Sequence, residues 1–256
     1  MMLRFSITIV RQAAIMGAAV RGCFRQHVGV VALKKERFSI LLVVLFLNAV
    51  MQCLFSEYKF GAYMLDGLML FFFLATIFAI SEERKHFYLI LSIGLLVLLT
   101  IGGKRIPGIA RVCDLLEPSL LILFTALVIY TVLNFVFKGK EITRNKIAAA
   151  LCVYLLLGTG WSAVYSLLET VDPGSLVSSR DETIVKDEDL GKREDFNYFS
   201  FVTLTTLGYG DITPVTRPAR TLAMLEAIVG QLYLAVLIAR LVGLHTAHAR
   251  SSMKDR

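Results

Sequence analysis

The chain has 256 residues, of which 56% are hydrophobic and 18% charged, with a formal net charge of +7. An apolar content that high, gathered into long unbroken stretches, excludes an ordinary soluble domain and points to the bilayer. The basic excess does not indicate nucleic acid, because the Lys and Arg residues fall in short clusters between apolar runs, as membrane-topology signals do.

Residues 1–37 are basic and mildly amphipathic, with apolar content too interrupted for a cleaved signal peptide. Two readings fit this cytoplasmic arm: a basic segment that sets topology, or a helix lying on the membrane surface. Five spanning candidates follow at 38–56, 61–80, 118–137, 145–168 and 219–239. Each has the roughly 20 mostly apolar residues that a helix needs to cross about 30 Å of hydrocarbon. A sixth, 87–103, is shorter but free of charge. Asp66 and Glu226 are isolated carboxylates inside these runs. Cys23, Cys53, Cys113 and Cys152 are scattered, with neither metal-ligand nor pairing spacing, and read as apolar-phase residues.

Orientation follows from the loops. Seven Lys/Arg precede the first span: Arg4, Arg11, Arg21, Arg25, Lys34, Lys35 and Arg37. Arg84 and Lys85 lie in the second-to-third loop, with Lys138, Lys140, Arg144 and Lys146 between the fourth and fifth spans. The tail adds Arg240, Arg250, Lys254 and Arg256. The two short loops of the opposite side hold only Lys59, Lys104, Arg105 and Arg111. The excess places both termini in the cytoplasm of a multi-pass protein, expected in the plasma (inner) membrane.

The connection between the fifth and sixth spans is far longer than a bundle needs. Residues 169–195 hold nine acidic and four basic side chains, and residues 196–206 turn apolar and aromatic. That second part is too short to cross the membrane. It has the profile of a re-entrant segment, tolerated at membrane depth only where it is buried in protein or lines a water-filled cavity. It runs into Thr205-Thr206-Leu207-Gly208-Tyr209-Gly210-Asp211. Alternating glycines let successive carbonyls point the same way, toward an axis.

This string, preceded by an aromatic segment and flanked by two spans, resembles the selectivity filter of the potassium channel pore family. The resemblance covers 145 to about 244. It implies an all-α membrane protein: six transmembrane helices per subunit, a re-entrant pore helix and filter loop between the fifth and sixth, and a tetrameric pore. It also implies a division into the arm 1–37, a four-helix transmembrane domain 38–137 and a pore domain 138–256. In the family K⁺ is held by the backbone carbonyls matching Thr206, Leu207, Gly208 and Tyr209, with the Thr206 hydroxyl at the inner end. Leu207 stands where valine is commoner, and little should change because its carbonyl does the work. Thr205, Gly210 and Asp211 complete the filter, with Asp211 at the outer mouth. Tyr209 is expected to brace it against Tyr198 and Phe199, where the family often has tryptophans. One filter string and no internal repeat imply a homotetramer.

Other features leave alternatives open. The acidic stretch, net −5 per subunit, either concentrates cations at the outer mouth or is a solvated turret. Gly230, midway along the last span, is either the family's hinge glycine or a site of close helix packing. Glu226 lies eight residues past Pro218, about 12 Å along a helix. That depth suits filter support through a hydrogen bond from Ser200 or Thr203, or from a neighbouring subunit; the plainer reading is a carboxyl that reaches water. Some family members carry a supporting glutamate in the pore helix, where this chain has Val202. Steep voltage gating is not expected, because residues 119–137 carry no Arg or Lys and Arg111 lies before the span. The sequence shows no nucleophilic Cys/His pair, H-E-x-x-H or phosphate loop, so no enzyme is expected and no cofactor beyond permeant K⁺. The expected partners are other copies of the chain, membrane lipids and K⁺, with no nucleic acid. A less selective cation channel and an accessory subunit of another channel are the rival readings.

Overall fold

The computed structural model describes residues 36–55, 59–81, 84–104, 106, 108–138, 143–178 and 191–254. The chain divides into the units Met1–Arg37 and Phe38–Arg256. Residues 1–35 of the basic arm, and 179–190 of the acidic stretch, lie outside the described residues.

Seven helices and two short strands are present among the described residues: α1 (Arg37–Phe55), α2 (Lys59–Ile80), α3 (Arg84–Gly103), α4 (Ala110–Phe137), α5 (Arg144–Val171), β1 (Leu176–Ser178), α6 (Gly191–Leu204), β2 (Ile212–Pro214) and α7 (Arg217–Lys254). Three of these helices are long and apolar enough to cross a membrane: α4, α5 and α7 as far as Gly243. The apolar stretches Arg37–Gln52, Gly67–Ile80 and Phe87–Gly103 of α1, α2 and α3 are shorter. The protein is thus mostly helical and membrane-embedded, with three of the expected spans meeting that criterion.

Local chemistry sets the ends of α5. The Thr143 side chain accepts from the Lys146 amide at its N-terminus, satisfying one of the first-turn donors. After Val171, Pro173 and Gly174 (φ +86°) turn the chain out of the helix. The start of α4 differs from the sequence expectation. It begins at Ala110, so Arg111 lies in its first turn and Pro118 inside the helix rather than at its edge. Lys104 reaches Asp114 (3.0 Å) and the buried Glu117 (2.7 Å), so those two carboxylates of α4 are paired at one end of it.

One apolar core joins α1 to α5, with Tyr233 and Leu237 of α7 packed against it, and a smaller cluster of Tyr165, Phe196 and Phe199 joins α5 to α6. Phe72 and Phe73 of α2 pack edge-on against Phe124 of α4. Phe38 meets Phe135 with ring centroids 4.7 Å apart. Val128 and Val132 of α4 and Val153 and Leu156 of α5 are all fully buried in the same core. α7 differs sharply: 11% of its apolar window is buried, against 50% for α5. The outward leucines and valines of α7 therefore need lipid or protein to cover them.

The fold also contains strand, which an all-helical reading did not include. β1 and β2 pair antiparallel, Val177 opposite Thr213, and tie the segment after α5 to the chain leaving the T-T-L-G-Y-G-D string.

Candidate functional site: the loop after α6

α6 is a 14-residue helix between α5 and α7, and its last turn launches the loop. The Thr206 amide donates to the Thr203 carbonyl (2.9 Å). Leu207 and Gly208 both donate to the Val202 carbonyl, at 2.9 and 3.3 Å. The Thr205 hydroxyl donates to the Phe201 carbonyl (2.7 Å). The helix end thus supplies the loop's first hydrogen bonds.

Beyond that point the backbone alternates hand. Thr206, Gly208 and Gly210 have φ of +59°, +57° and +77°, whereas Leu207 and Tyr209 are not in the positive-φ region. Alternation of left- and right-handed residues turns successive peptide planes so that their carbonyls fall on one side of the strand. A Cβ at Gly208 or Gly210 would meet nothing within 4 Å, so glycine is needed there for its conformation and not for space. Thr206 adopts the same conformation despite its branched Cβ, which costs about 1–3 kcal/mol and concentrates strain in the loop.

The C-terminal end of the loop is pinned on two sides. Asp211 accepts from the Tyr198 hydroxyl (2.8 Å) and from the Ile212 amide (3.1 Å). The ribbon then holds 212–214, and the Val215 amide donates to the carbonyl of the buried Ser175 (2.9 Å). The Ser175 hydroxyl donates to the Asp172 carbonyl (2.7 Å) and accepts from the Thr216 hydroxyl (3.2 Å). Glu169 accepts from the Gly174 amide (2.6 Å) and the Leu176 amide (3.3 Å). At the start of the acidic stretch, Glu169 therefore closes a turn through both carboxylate oxygens.

Behind the loop, Glu226 is fully buried between three elements. The Ser200 hydroxyl lies 2.6 Å from its Oε1, and the Tyr165 hydroxyl donates to its Oε2 at 2.6 Å. Ser200 Oγ also lies 2.8 Å from the Gly158 carbonyl, linking α5, α6 and α7 at one point. Ser200, rather than Thr203, is the α6 partner, and Glu226 does not reach water within the chain. Gly158 permits the contact, since a Cβ there would strike the Phe201 ring at 2.6 Å.

Tyr198 and Phe199 separate. Tyr198 joins the C-terminal end of the loop through Asp211. Phe199 instead turns to Tyr165, edge-to-face with centroids 4.9 Å apart. Tyr209 is 68% exposed, so the expected brace of Tyr209 on Tyr198 and Phe199 is not made within one chain. Gly230 lies against the last carbonyl of α6: a Cβ would run into the Leu204 carbonyl oxygen. The Tyr154 hydroxyl approaches the same oxygen (3.4 Å), and Tyr233 stacks on Tyr154. α7 runs unbroken through this position. Gln231 follows, its Nε2 donating to Thr206 Oγ1 (3.2 Å).

Tyr165, Glu169, Ser175 and Gln231 had no distinguishing sequence signal. A tyrosine in an apolar run reads as core, and an acidic residue among nine reads as surface.

Residues 147–246 match a family model described as "Ion channel". "Protein LctB" of Bacillus caldotenax is 35% identical over 89 residues, an alignment that takes in 35% of this chain and 64% of that protein. No solved structure matches the chain significantly. The family match falls on α5 through α7 with the loop between them, so this part of the chain is similar to ion channels.

Proposed function

We propose that the chain is a subunit of a potassium-selective channel that passes K⁺ down its gradient. The observation that carries this reading is the alternation of backbone hand at Thr206, Gly208 and Gly210 within T-T-L-G-Y-G-D. A stack of carbonyls on one side of a strand can replace the hydration shell of a desolvated cation. The coordinating atoms would be the carbonyls of Thr206, Leu207, Gly208 and Tyr209, with the Thr206 hydroxyl at the inner end.

One strand of carbonyls cannot surround an ion, so the reading requires four copies about an axis. The exposure of Leu207 and Tyr209, and of Leu225, Ile228, Leu232 and Val236 on α7, is what an unassembled subunit of such a tetramer leaves open. In the same reading all six apolar helices span the plasma membrane, α6 and the loop enter it from outside, and both termini are cytoplasmic. Asp211, Tyr198 and the Glu226 cluster hold the loop from its outer end and from behind.

Purified protein in planar bilayers under opposed K⁺ and Na⁺ gradients tests the proposal. The current is expected to reverse near the K⁺ equilibrium potential, with Rb⁺ passing and Na⁺ largely excluded. Gly210→Ala should abolish selective current, because L residues rarely adopt its φ. Equal Na⁺ and K⁺ permeability in the wild type would identify a non-selective cation pore instead.

A further inference from the structure

The geometry points to Gln231 as a positioning residue that fixes the Thr206 hydroxyl, and through it the innermost cation site of the loop; this rests on the channel reading above. A threonine hydroxyl has one hydrogen and two lone pairs. The Gln231 amide donates to Thr206 Oγ1 at 3.2 Å and occupies one of those lone pairs. The branched Cβ of Thr206 restricts its χ1, and the left-handed backbone restricts it further. With one lone pair engaged, the other is held in a single direction. An oriented oxygen binds a cation better than a rotating one, because the ordering cost is met before the ion arrives.

Gln231 is itself held in place. Its neighbour Gly230 rests against the Leu204 carbonyl, and Tyr233 stacks on Tyr154. Glu226, Gly230 and Tyr233 recur at helical spacing and fasten one face of α7 to α5 and α6. Gln231 stands beside that face, and its side chain bonds the loop itself. The carboxamide suits this role because it donates without charge; a glutamate there could not donate when ionised, and a leucine could not donate at all.

Both partners are exposed, so the contact adds little to packing, and its loss should appear in ion binding and not in stability. Ba²⁺, a divalent ion close in size to K⁺, serves as the probe, applied from the cytoplasmic side to the full-length channel in bilayers. Gln231→Met, which keeps the shape and removes the amide, should weaken Ba²⁺ block about five- to tenfold with an unchanged thermal midpoint. The effect should persist on a Thr206→Ser background and vanish on Thr206→Val, where there is no hydroxyl to position. If Thr206→Val does not conduct, calorimetric Ba²⁺ titration of the solubilised full-length protein completes the same cycle. Wild-type K⁺ current with Ba²⁺ block unaltered by Gln231→Met, or altered equally with and without the hydroxyl, overturns this inference alone. Absence of K⁺ current in the wild type overturns the channel reading and this inference with it.

Discussion

Glu226 shows how one residue can be read partly, and only partly, from sequence. A carboxyl buried in an apolar helix costs several kcal/mol unless its oxygens are bonded, so an isolated glutamate in a span implies partners. Its depth, eight residues past Pro218, is enough to offer Ser200 and Thr203 as candidates, or a neighbouring subunit, and the structure selects Ser200 on α6. Nothing in sequence names Tyr165, because the phenol reaches across from α5, 61 positions away in the chain. Side chains that meet across helices leave no periodic signature, whereas a buried charge does. Two substitutions separate the contributions. Glu226→Gln keeps the shape and one acceptor oxygen and should cost about 1 kcal/mol, whereas Glu226→Ala also leaves two buried hydroxyls without that acceptor and should cost about 3 kcal/mol or more. Thermal unfolding of the detergent-solubilised protein measures both, and equal midpoints for wild type and Glu226→Ala would remove Glu226 from the scaffold.

Among the elements, the long apolar runs marked the helices and the aromatic run before the T-T-L-G-Y-G-D string marked α6, because hydrophobic length and composition are local properties. Boundaries were less legible: the apolar run began at 118 and Arg111 was counted with the loop, yet the helix begins at Ala110 and Lys104 pairs with its Asp114 and Glu117. The ribbon was not legible at all. Its strands are three residues each, too short for a period-2 pattern, and their pairing joins positions 38 apart, Leu176 with Pro214. Gly230 carried two meanings in sequence, hinge or close packing, and the neighbouring Leu204 carbonyl favours packing. Gly230→Ala is therefore expected to displace α7 from the end of α6, costing about 1–3 kcal/mol through overpacking. Reduced thermal stability together with reduced K⁺ selectivity would fit that role. A variant with normal stability and selectivity and altered open probability alone would favour a hinge.

For the whole molecule, on the channel reading proposed above, the question is what the helices before the pore contribute. Four apolar helices ahead of a pore unit invite comparison with a voltage-driven assembly, and the distribution of charge argues against one. In α4 the ionisable side chains of this kind are Arg111, Asp114 and Glu117, all in its first two turns or just beyond. Lys104 holds the latter two at 3.0 and 2.7 Å, and no charged residue occupies 118–137. Moving one elementary charge through the full field supplies about 2.3 kcal/mol per 100 mV, equivalent to about a fiftyfold change in an equilibrium. Carboxylates paired with a lysine at one end of the helix would move with little net charge and cross little of the field. Open probability is therefore expected to change less than about tenfold per 100 mV, the effect of roughly 0.6 of a charge. Single-channel recording over about −100 to +100 mV in symmetrical K⁺ measures this directly. A steep sigmoidal dependence would mean that charge crosses the field somewhere other than α4, and charge-neutralising substitutions at Lys104, Arg111 and Glu117 would then locate or exclude its source at the end of that helix.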